Sequence, residues 1–77
     1  MERPMQFHAG LLDANRRFNL SPRECETVQH LTYGLTNKEI AQRMNISPNT
    51  VKQFLRLIMS KMSVTTRSGI LGKLLTH

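Results

Sequence analysis

Apolar positions that recur every three or four residues divide most of this chain into helices. The clearest stretch is 48–62, where a helix would carry one apolar stripe formed by Val51, Phe54, Leu55, Ile58 and Met62. Its opposite side carries the polar residues Asn49, Lys52, Gln53 and Arg56. Ser47 is a suitable N-cap and Pro48 suits the first helical position, so this helix is predicted to begin there.

An earlier helix is predicted from Pro22 to about Tyr33. Ser21 and Glu24 have the spacing of a capping box, and Pro22 follows the cap. Gly34 should end the helix because glycine readily takes the left-handed conformation. The expected inner stripe of this helix consists of Cys25, Val28, Leu31 and Thr32.

A helix of about two turns, residues 37–44, is predicted next. Thr36 and Glu39 form a second capping box, and the inward residues would be Ile40, Ala41 and Met44. Asn45 tolerates the left-handed conformation that a tight corner requires. The small side chain of Ala41 suits close helix crossing. Two helices joined by so short a corner are typical of a helix-turn-helix.

A fourth helix is predicted from about Arg67 to Leu75, capped by Thr65 or Thr66. Its apolar set is wide for its length: Ile70, Leu71, Leu74 and Leu75. Packing one side on the domain would leave Leu71, Leu74 or Leu75 partly exposed, which indicates either a partner surface or a frayed C-terminal helix. Gly69 and Gly72 lower its helix propensity.

Residues 1–19 are predicted to be an N-terminal arm or linker. A short amphipathic helix after Pro4 is the alternative, because apolar residues recur at helical spacing at Phe7, Leu11, Ala14 and Phe18. Residues 20–77 form the predicted domain. The fold class is therefore all-α, with four helices and a short N-terminal extension.

The net charge of +6 lies entirely in the second half of the chain. Residues 1–39 hold five basic and five acidic side chains, whereas residues 40–77 hold six basic and no acidic ones. This asymmetry indicates a polyanionic partner and salt-dependent binding. On the basic half, Lys52, Gln53 and Arg56 are side-chain types that read base edges in DNA. The alternative is an ordinary solvated helix face.

Other classes of protein fit the composition less well. Cys25 is the single cysteine, which excludes an intramolecular disulfide, and no Cys/His cluster has zinc-ligand spacing. The sequence has no signal-peptide pattern and no apolar run long enough to span a membrane, so a cytoplasmic protein is expected. It contains no recognisable catalytic constellation, so neither an enzyme nor a cofactor or metal is predicted.

Several spaced motifs resemble the LuxR-type (GerE-like) helix-turn-helix domain of bacterial transcription regulators, including response regulators. The matching segments are 20–24 (LSPRE), 34–41 (GLTNKEIA), 46–52 (ISPNTVK), 61–62 (KM) and Arg67. The resemblance spans about Leu20 to Leu75 without a gap. It implies a four-helix domain that binds double-stranded DNA, with the helix of residues 48–62 in the major groove, and acts on promoters with RNA polymerase as a candidate partner.

Site residues follow from the positions of this resemblance. Base edges would be read by Lys52, Gln53 and Arg56. Phosphates would be contacted by Thr36, Asn37, Lys38, Asn49, Thr50 and Lys61. A homodimer is expected through the fourth helix, with Leu71, Leu74 and Leu75 at its interface. Glu24 is interpreted as a scaffold residue that caps its helix and pairs with a basic side chain.

Three positions depart from the family pattern: Thr27, His30 and Phe54. The polar pair in the first helix indicates a weaker core or a surface covered by another segment. Phe54 would enlarge the core or stand as an exposed aromatic, and Val51 would be either a core residue or a neighbour of a thymine methyl.

Two other functions compete with the leading one. An interaction protein could use this domain to form inactive heterodimers with a related regulator, although the donors at 52, 53 and 56 argue against it. The promoter-reading end of a sigma factor shares the helix-turn-helix, but residues 34–39 fit the regulator family better.

Overall fold

The computed structural model describes residues 15–75 of the chain. Four helices follow one another: α1 (Pro22–Thr32), α2 (Asn37–Met44), α3 (Pro48–Met62) and α4 (Arg67–Leu75). Residues 15–17 are also helical, and the described range contains no strand. The all-α, four-helix prediction is confirmed. The predicted N-terminal helix lies mostly outside the described residues.

The predicted caps of α1 and α2 are present. At α1, the Ser21 amide donates to Glu24 Oε1 (2.8 Å) and the Glu24 amide to Ser21 Oγ (3.2 Å). The helix ends at Thr32, and Gly34 takes a left-handed φ of +77°. At α2, Thr36 and Glu39 exchange the same pair of bonds.

The corner between α2 and α3 is a left-handed helix ending. Asn45 adopts φ +58° and ψ +47°, and the amide of Ile46 donates to the carbonyl of Ala41 at 3.0 Å. Ser47 then caps α3 by accepting a hydrogen bond from the amide of Thr50 at 3.1 Å. The corner is therefore built by local hydrogen bonds, and it determines how α3 is presented.

Helix α3 is the longest of the four helices and packs against α1, α2 and α4. Its buried residues are Val51, Leu55, Ile58 and Met62. Complete burial of Val51 leaves it as a core residue and removes the alternative role beside a thymine methyl. Phe54 is half-buried against the core, and Ala41 is buried within it.

The inner stripe of α1 differs from the predicted one. Glu24, Thr27, Val28 and Leu31 are buried, whereas Cys25 and Thr32 are only half-buried. Polar residues can occupy the inner side because each has an internal partner: the Thr27 hydroxyl donates to the carbonyl of Arg23 at 2.8 Å, and Glu24 pairs with Lys61. The prediction is confirmed for Val28 and Leu31 and wrong for Cys25 and Thr32, because helical spacing alone does not show which polar side chains find a partner inside the fold.

Helix α4 buries Ile70 and Leu74, and Thr66 caps it by accepting a hydrogen bond from the amide of Gly69 at 3.0 Å. Leu71 is half-buried and Leu75 is 45% exposed, but Leu74 is only 1% exposed. Leu74 therefore belongs to the core of the single chain, and its prediction as an interface residue has to be corrected. The wide apolar set of α4 hid which leucine points inward.

Candidate nucleic-acid interface

The three residues predicted to read bases share one exposed surface of α3. Lys52, Gln53 and Arg56 are all exposed, as is Asn49 one turn earlier. Within residues 15–75, no hydrogen bond or ion pair engages the side chains of Lys52, Gln53 or Arg56. A helix fits the major groove, and these side chains carry the donors that pair with guanine and adenine. The surface is thus chemically able to read base edges.

Leu57 is a residue of this surface that sequence reasoning did not identify. It is 52% exposed although its neighbours along the chain alternate between core and polar positions. Because it follows Gln53 by four residues, it lies beside Gln53 one turn further along α3. Its position outside the apolar stripe was the available signal.

The start of α2 places three predicted phosphate contacts next to one another. Thr36 is the N-cap, and Asn37 and Lys38 are the first two helical residues. The hydroxyl oxygen of Thr36 accepts a hydrogen bond from the backbone amide of Glu39 at 3.2 Å. The hydrogen of the Thr36 hydroxyl therefore remains available for donation. Lys38 is exposed. Amide groups at a helix N-terminus also favour anions.

Glu39 is the acidic residue closest to this group. The hydrogen bond from the Thr36 backbone amide is the main reason why the pKa of Glu39 lies below its ordinary value. The carboxylate of Glu39 caps α2 by accepting this hydrogen bond. It is ionised at neutral pH and lies near the donors of Thr36 and Lys38.

A second polar group lies at the start of α3. Asn49 is exposed, Thr50 is half-buried, and the hydroxyls of Thr50 and Ser47 are 2.9 Å apart. Ser47 was predicted only as a cap. The contact with Thr50 shows that the two hydroxyls share one hydrogen bond, which orients them together.

Lys61 is engaged within the domain. Its ammonium donates to Glu24 Oε1 at 2.7 Å and to the carbonyl of Asn19 at 3.1 Å, which confirms a basic partner for Glu24. Burial alone would raise the pKa of Glu24, but the hydrogen bonds from Lys61 and Ser21 outweigh it and lower the pKa. Lys61 thus anchors the end of α3 to the start of α1, and its predicted phosphate contact stays a prediction.

The side chain of Asn37 is also engaged. Arg67, the first residue of α4, donates to Asn37 Oδ1 and to the carbonyl of Leu35. Of the predicted phosphate contacts, Asn37 is therefore the one tied to the fourth helix.

The exposed side of α4 combines apolar and small residues. Leu71 and Leu75 are one turn apart, and Gly72 between them has open space where a Cβ would lie. In residues 15–75, this is the part of the predicted dimer surface that remains accessible after Leu74 is assigned to the core.

Comparison with known proteins identifies the family of this fold. The profile of "Bacterial regulatory proteins, luxR family" matches residues 18–72. The chain belongs to the LuxR family. It thus carries the helix-turn-helix of a family of DNA-binding transcription regulators, and the family resemblance is confirmed.

Several regulators are similar to this LuxR-family chain. The transcriptional regulatory protein LnrK of Bacillus subtilis is 43% identical over 54 residues, which is 70% of this chain and 24% of LnrK. FixJ of Bradyrhizobium diazoefficiens is 39% identical over 57 residues, 74% of this chain and 28% of FixJ. The nitrate/nitrite response regulator NarP of Escherichia coli is 42% identical over 48 residues, 62% of this chain and 22% of NarP.

The chain thus matches about a quarter of the length of these relatives. No solved structure matches it. In residues 15–75 no cluster of three or more His, Cys, Asp or Glu residues could hold a metal ion. None of the helices described is long and apolar enough to cross a bilayer.

Proposed function

We propose that this domain binds double-stranded DNA sequence-specifically, with α3 in the major groove, as the promoter-binding part of a transcription regulator. The observation that carries the proposal is the exposed surface of Lys52, Gln53 and Arg56, whose side chains have no competing partner in residues 15–75. The opposite side of α3 is buried in the domain and holds the helix in place. A rigid helix is what base reading requires.

Phosphate contacts supply the remaining affinity in this proposal. The start of α2 provides the hydroxyl of Thr36, the side-chain amide of Asn37 and the ammonium of Lys38. The start of α3 provides the side chains of Asn49 and Thr50. Such contacts set the register of the protein on DNA without selecting sequence. We assign Lys61 a smaller role, because its ammonium already serves Glu24 and Asn19.

Leu57 adds an apolar contact to the reading surface. An exposed leucine beside Gln53 would lie in the groove with it, where the apolar group offered by DNA is the C5-methyl of thymine. A thymine is therefore expected next to the base read by Gln53. Replacing that thymine with uracil, which lacks the methyl, should weaken binding by the wild type and not by Leu57→Ala.

Dimerisation through α4 would explain its outer surface. Leu71 and Leu75 form a short apolar strip beside Gly72, which allows close approach of a second helix. A homodimer would read two half-sites related by two-fold symmetry. Contact with RNA polymerase would follow from promoter binding, and a heterodimerising antagonist is the alternative that uses the same strip without reading DNA.

The test is selection of bound duplexes from a random pool by the purified chain, followed by affinity measurements on the enriched sequence and on a scrambled one. An enriched motif with two-fold symmetry is expected. Lys52→Ala or Arg56→Ala should cost about 1–3 kcal/mol on the enriched sequence and little on the scrambled one.

The matched control is Lys38→Ala, which should weaken binding to both sequences alike. Equal losses on both sequences for Lys52→Ala would remove the base-reading assignment. Absence of enrichment, together with stable complexes with a related regulator, would replace the proposal with the antagonist.

A further inference from the structure

We propose that Arg67 is a positioning residue for DNA phosphate binding. It begins α4, but its guanidinium holds the side chain of Asn37 at the start of α2, so that the NH2 group of Asn37 is presented to a DNA phosphate. The inference rests on the proposed function and deepens it, because it assigns a DNA-binding role to a residue of the fourth helix.

The contact joins two helices that do not pack against each other. α2 and α4 are both packed on α3, with no direct packing between them. Across this gap, Arg67 Nη1 donates to Asn37 Oδ1 and Nη2 donates to the carbonyl of Leu35. One side chain therefore holds both the loop before α2 and the first helical residue of α2.

The chemistry of the bond determines which end of the Asn37 amide faces outward. A guanidinium has donors and no acceptor, so the atom that it contacts must be the carbonyl oxygen of Asn37. The NH2 end is then the available one, and in residues 15–75 no acceptor is bonded to it. A phosphate oxygen is an acceptor. Without Arg67 the amide could turn over and present its oxygen to the phosphate, which is repulsive.

The position of the Arg67 charge also favours a positioning role. Arg67 lies at the N-terminus of α4 and bonds the N-terminus of α2, and a cation near a helix N-terminus is unfavourable for stability. Helix stability therefore does not explain why Arg67 lies there, whereas a role in holding the side chain of Asn37 does. Arg67 and Asn37 are half-buried, which limits screening by salt.

A rival explanation is that Arg67 contacts the phosphate itself. The two explanations differ in coupling: a residue that acts through Asn37 has no effect once Asn37 is removed, whereas a direct contact does. They also differ in salt dependence, because losing a cationic phosphate contact lowers the slope of log affinity against log salt by about 0.9 and losing a positioning residue does not.

The experiment is a double-mutant cycle of Asn37→Ala, Arg67→Ala and the double variant on a scrambled duplex, measured by fluorescence anisotropy at several salt concentrations. Circular dichroism establishes that each variant is folded. We expect each single variant to lose about five-fold in affinity, the effect of one hydrogen bond. The double variant should bind as the single variants do, with an unchanged salt slope.

Two controls accompany the cycle. Lys38→Ala should lower the slope of log affinity against log salt by about 0.9, the value for one phosphate contact. Arg43→Ala removes a positive charge at the other end of α2 and measures the general effect of lost charge. If Arg67→Ala does not fold, Arg67→Met replaces it in the cycle, because methionine removes every donor and keeps most of the apolar length of the side chain.

Several outcomes would overturn the inference. An effect of Arg67→Ala that persists in the Asn37→Ala background assigns a direct contact, and unchanged affinity in a folded Arg67→Ala variant assigns a purely structural bond. If the wild type itself fails to bind any duplex, the proposed function fails first, and that result is distinct because it precedes every substitution.

Discussion

Helices α3 and α4 are adjacent, yet they are specified in different ways. α3 has a side-chain N-cap, an αL C-cap at Ser63, and four fully or nearly buried residues on a single narrow stripe. α4 has a more uniformly apolar sequence with two glycines and two buried residues. A helix with a narrow apolar stripe can bury its apolar residues in only one rotation about its axis. A helix with a wide apolar stripe can be rotated in several ways that bury a similar number of apolar residues.

The difference teaches which features carry function in each helix. On α3 the polar surface is a consequence of orientation, so Lys52, Gln53 and Arg56 are exposed as soon as Val51 and Ile58 are buried. On α4 the outer surface depends on how the helix is turned by its contacts. Substitutions that distinguish inner from outer positions of α4 therefore test the comparison most directly.

The largest effect is expected for Leu74→Glu. A carboxylate at this buried position has no partner, and the lost apolar contacts add to its cost, so the loss is expected to be about 3–5 kcal/mol and to unfold the domain. Leu75→Glu, one residue away and exposed, should remain folded. Thermal unfolding followed by circular dichroism compares the two, and a folded Leu74→Glu chain would contradict the orientation of α4.

A smaller effect is expected for Lys61→Ala, which tests how the end of α3 is held. The substitution leaves the carboxylate of Glu24, which is 3% exposed, without its cationic partner. Because Lys61 is itself partly exposed, the free energy of unfolding should fall by only about 1–2 kcal/mol at neutral pH. Lys52→Ala is the matched control on the same helix and should leave stability nearly unchanged.

The pH dependence of Lys61→Ala sharpens this test. The folded pKa of Glu24 is lowered from its ordinary value of 4.5, so its ion pair contributes stability above that value and loses it as the pH falls through the folded pKa. Urea unfolding should therefore show the cost of Lys61→Ala at neutral pH and a smaller one at about pH 3. A cost that does not change with pH would exclude the ion pair as its cause.

The smallest effects should separate the two glycines of α4. A Cβ at position 69 would lie 2.9 Å from the Cβ of Val64, so Gly69→Ala should destabilise the domain by about 1 kcal/mol. Gly72 has open space, so Gly72→Ala should stabilise the monomer by up to about 1 kcal/mol through helix propensity. Unfolding midpoints in urea measure both. The same sign for the two variants would contradict the packing of α4 on Val64.

The Gly72→Ala variant also bears on the proposed dimer. If two α4 helices approach closely at Gly72, the added methyl should weaken self-association while the monomer becomes more stable. Sedimentation equilibrium of Gly72→Ala beside the wild type measures this. Leu75→Ala is the matched control that removes apolar contact area without adding a methyl at Gly72.

Much of the fold could be predicted because its signals are local. The capping boxes at Ser21 and Thr36, the corner at Asn45 and the N-cap of α3 each rest on hydrogen bonds within a few residues, so residue type and spacing suffice. The bounds of α2, α3 and α4 follow from these signals. The placement of Lys52 and Arg56 on an exposed surface follows as well.

Features that depend on partners distant in sequence were missed or misassigned. The inward position of Glu24 depends on Lys61, 37 residues later, and burial of Thr27 depends on a hydrogen bond to Arg23 and on contact with Met44. Leu74 was assigned to the outer side because four apolar residues on a short helix allow several orientations. Leu57 lies outside the apolar stripe of α3, which indicated an outward position, but only the packed structure shows that no other described helix covers it.

The sequence by itself thus determined where the helices begin and end, which side of α3 is polar and where the positive charge lies, because these depend on local hydrogen bonds, periodicity and residue count. The tertiary structure alone decided the orientation of α4, the ion pair between Glu24 and Lys61, and the link from Arg67 to Asn37. Each of these requires side chains from separate helices to meet, and the hydrophobic pattern of a single helix contains no information about its neighbours.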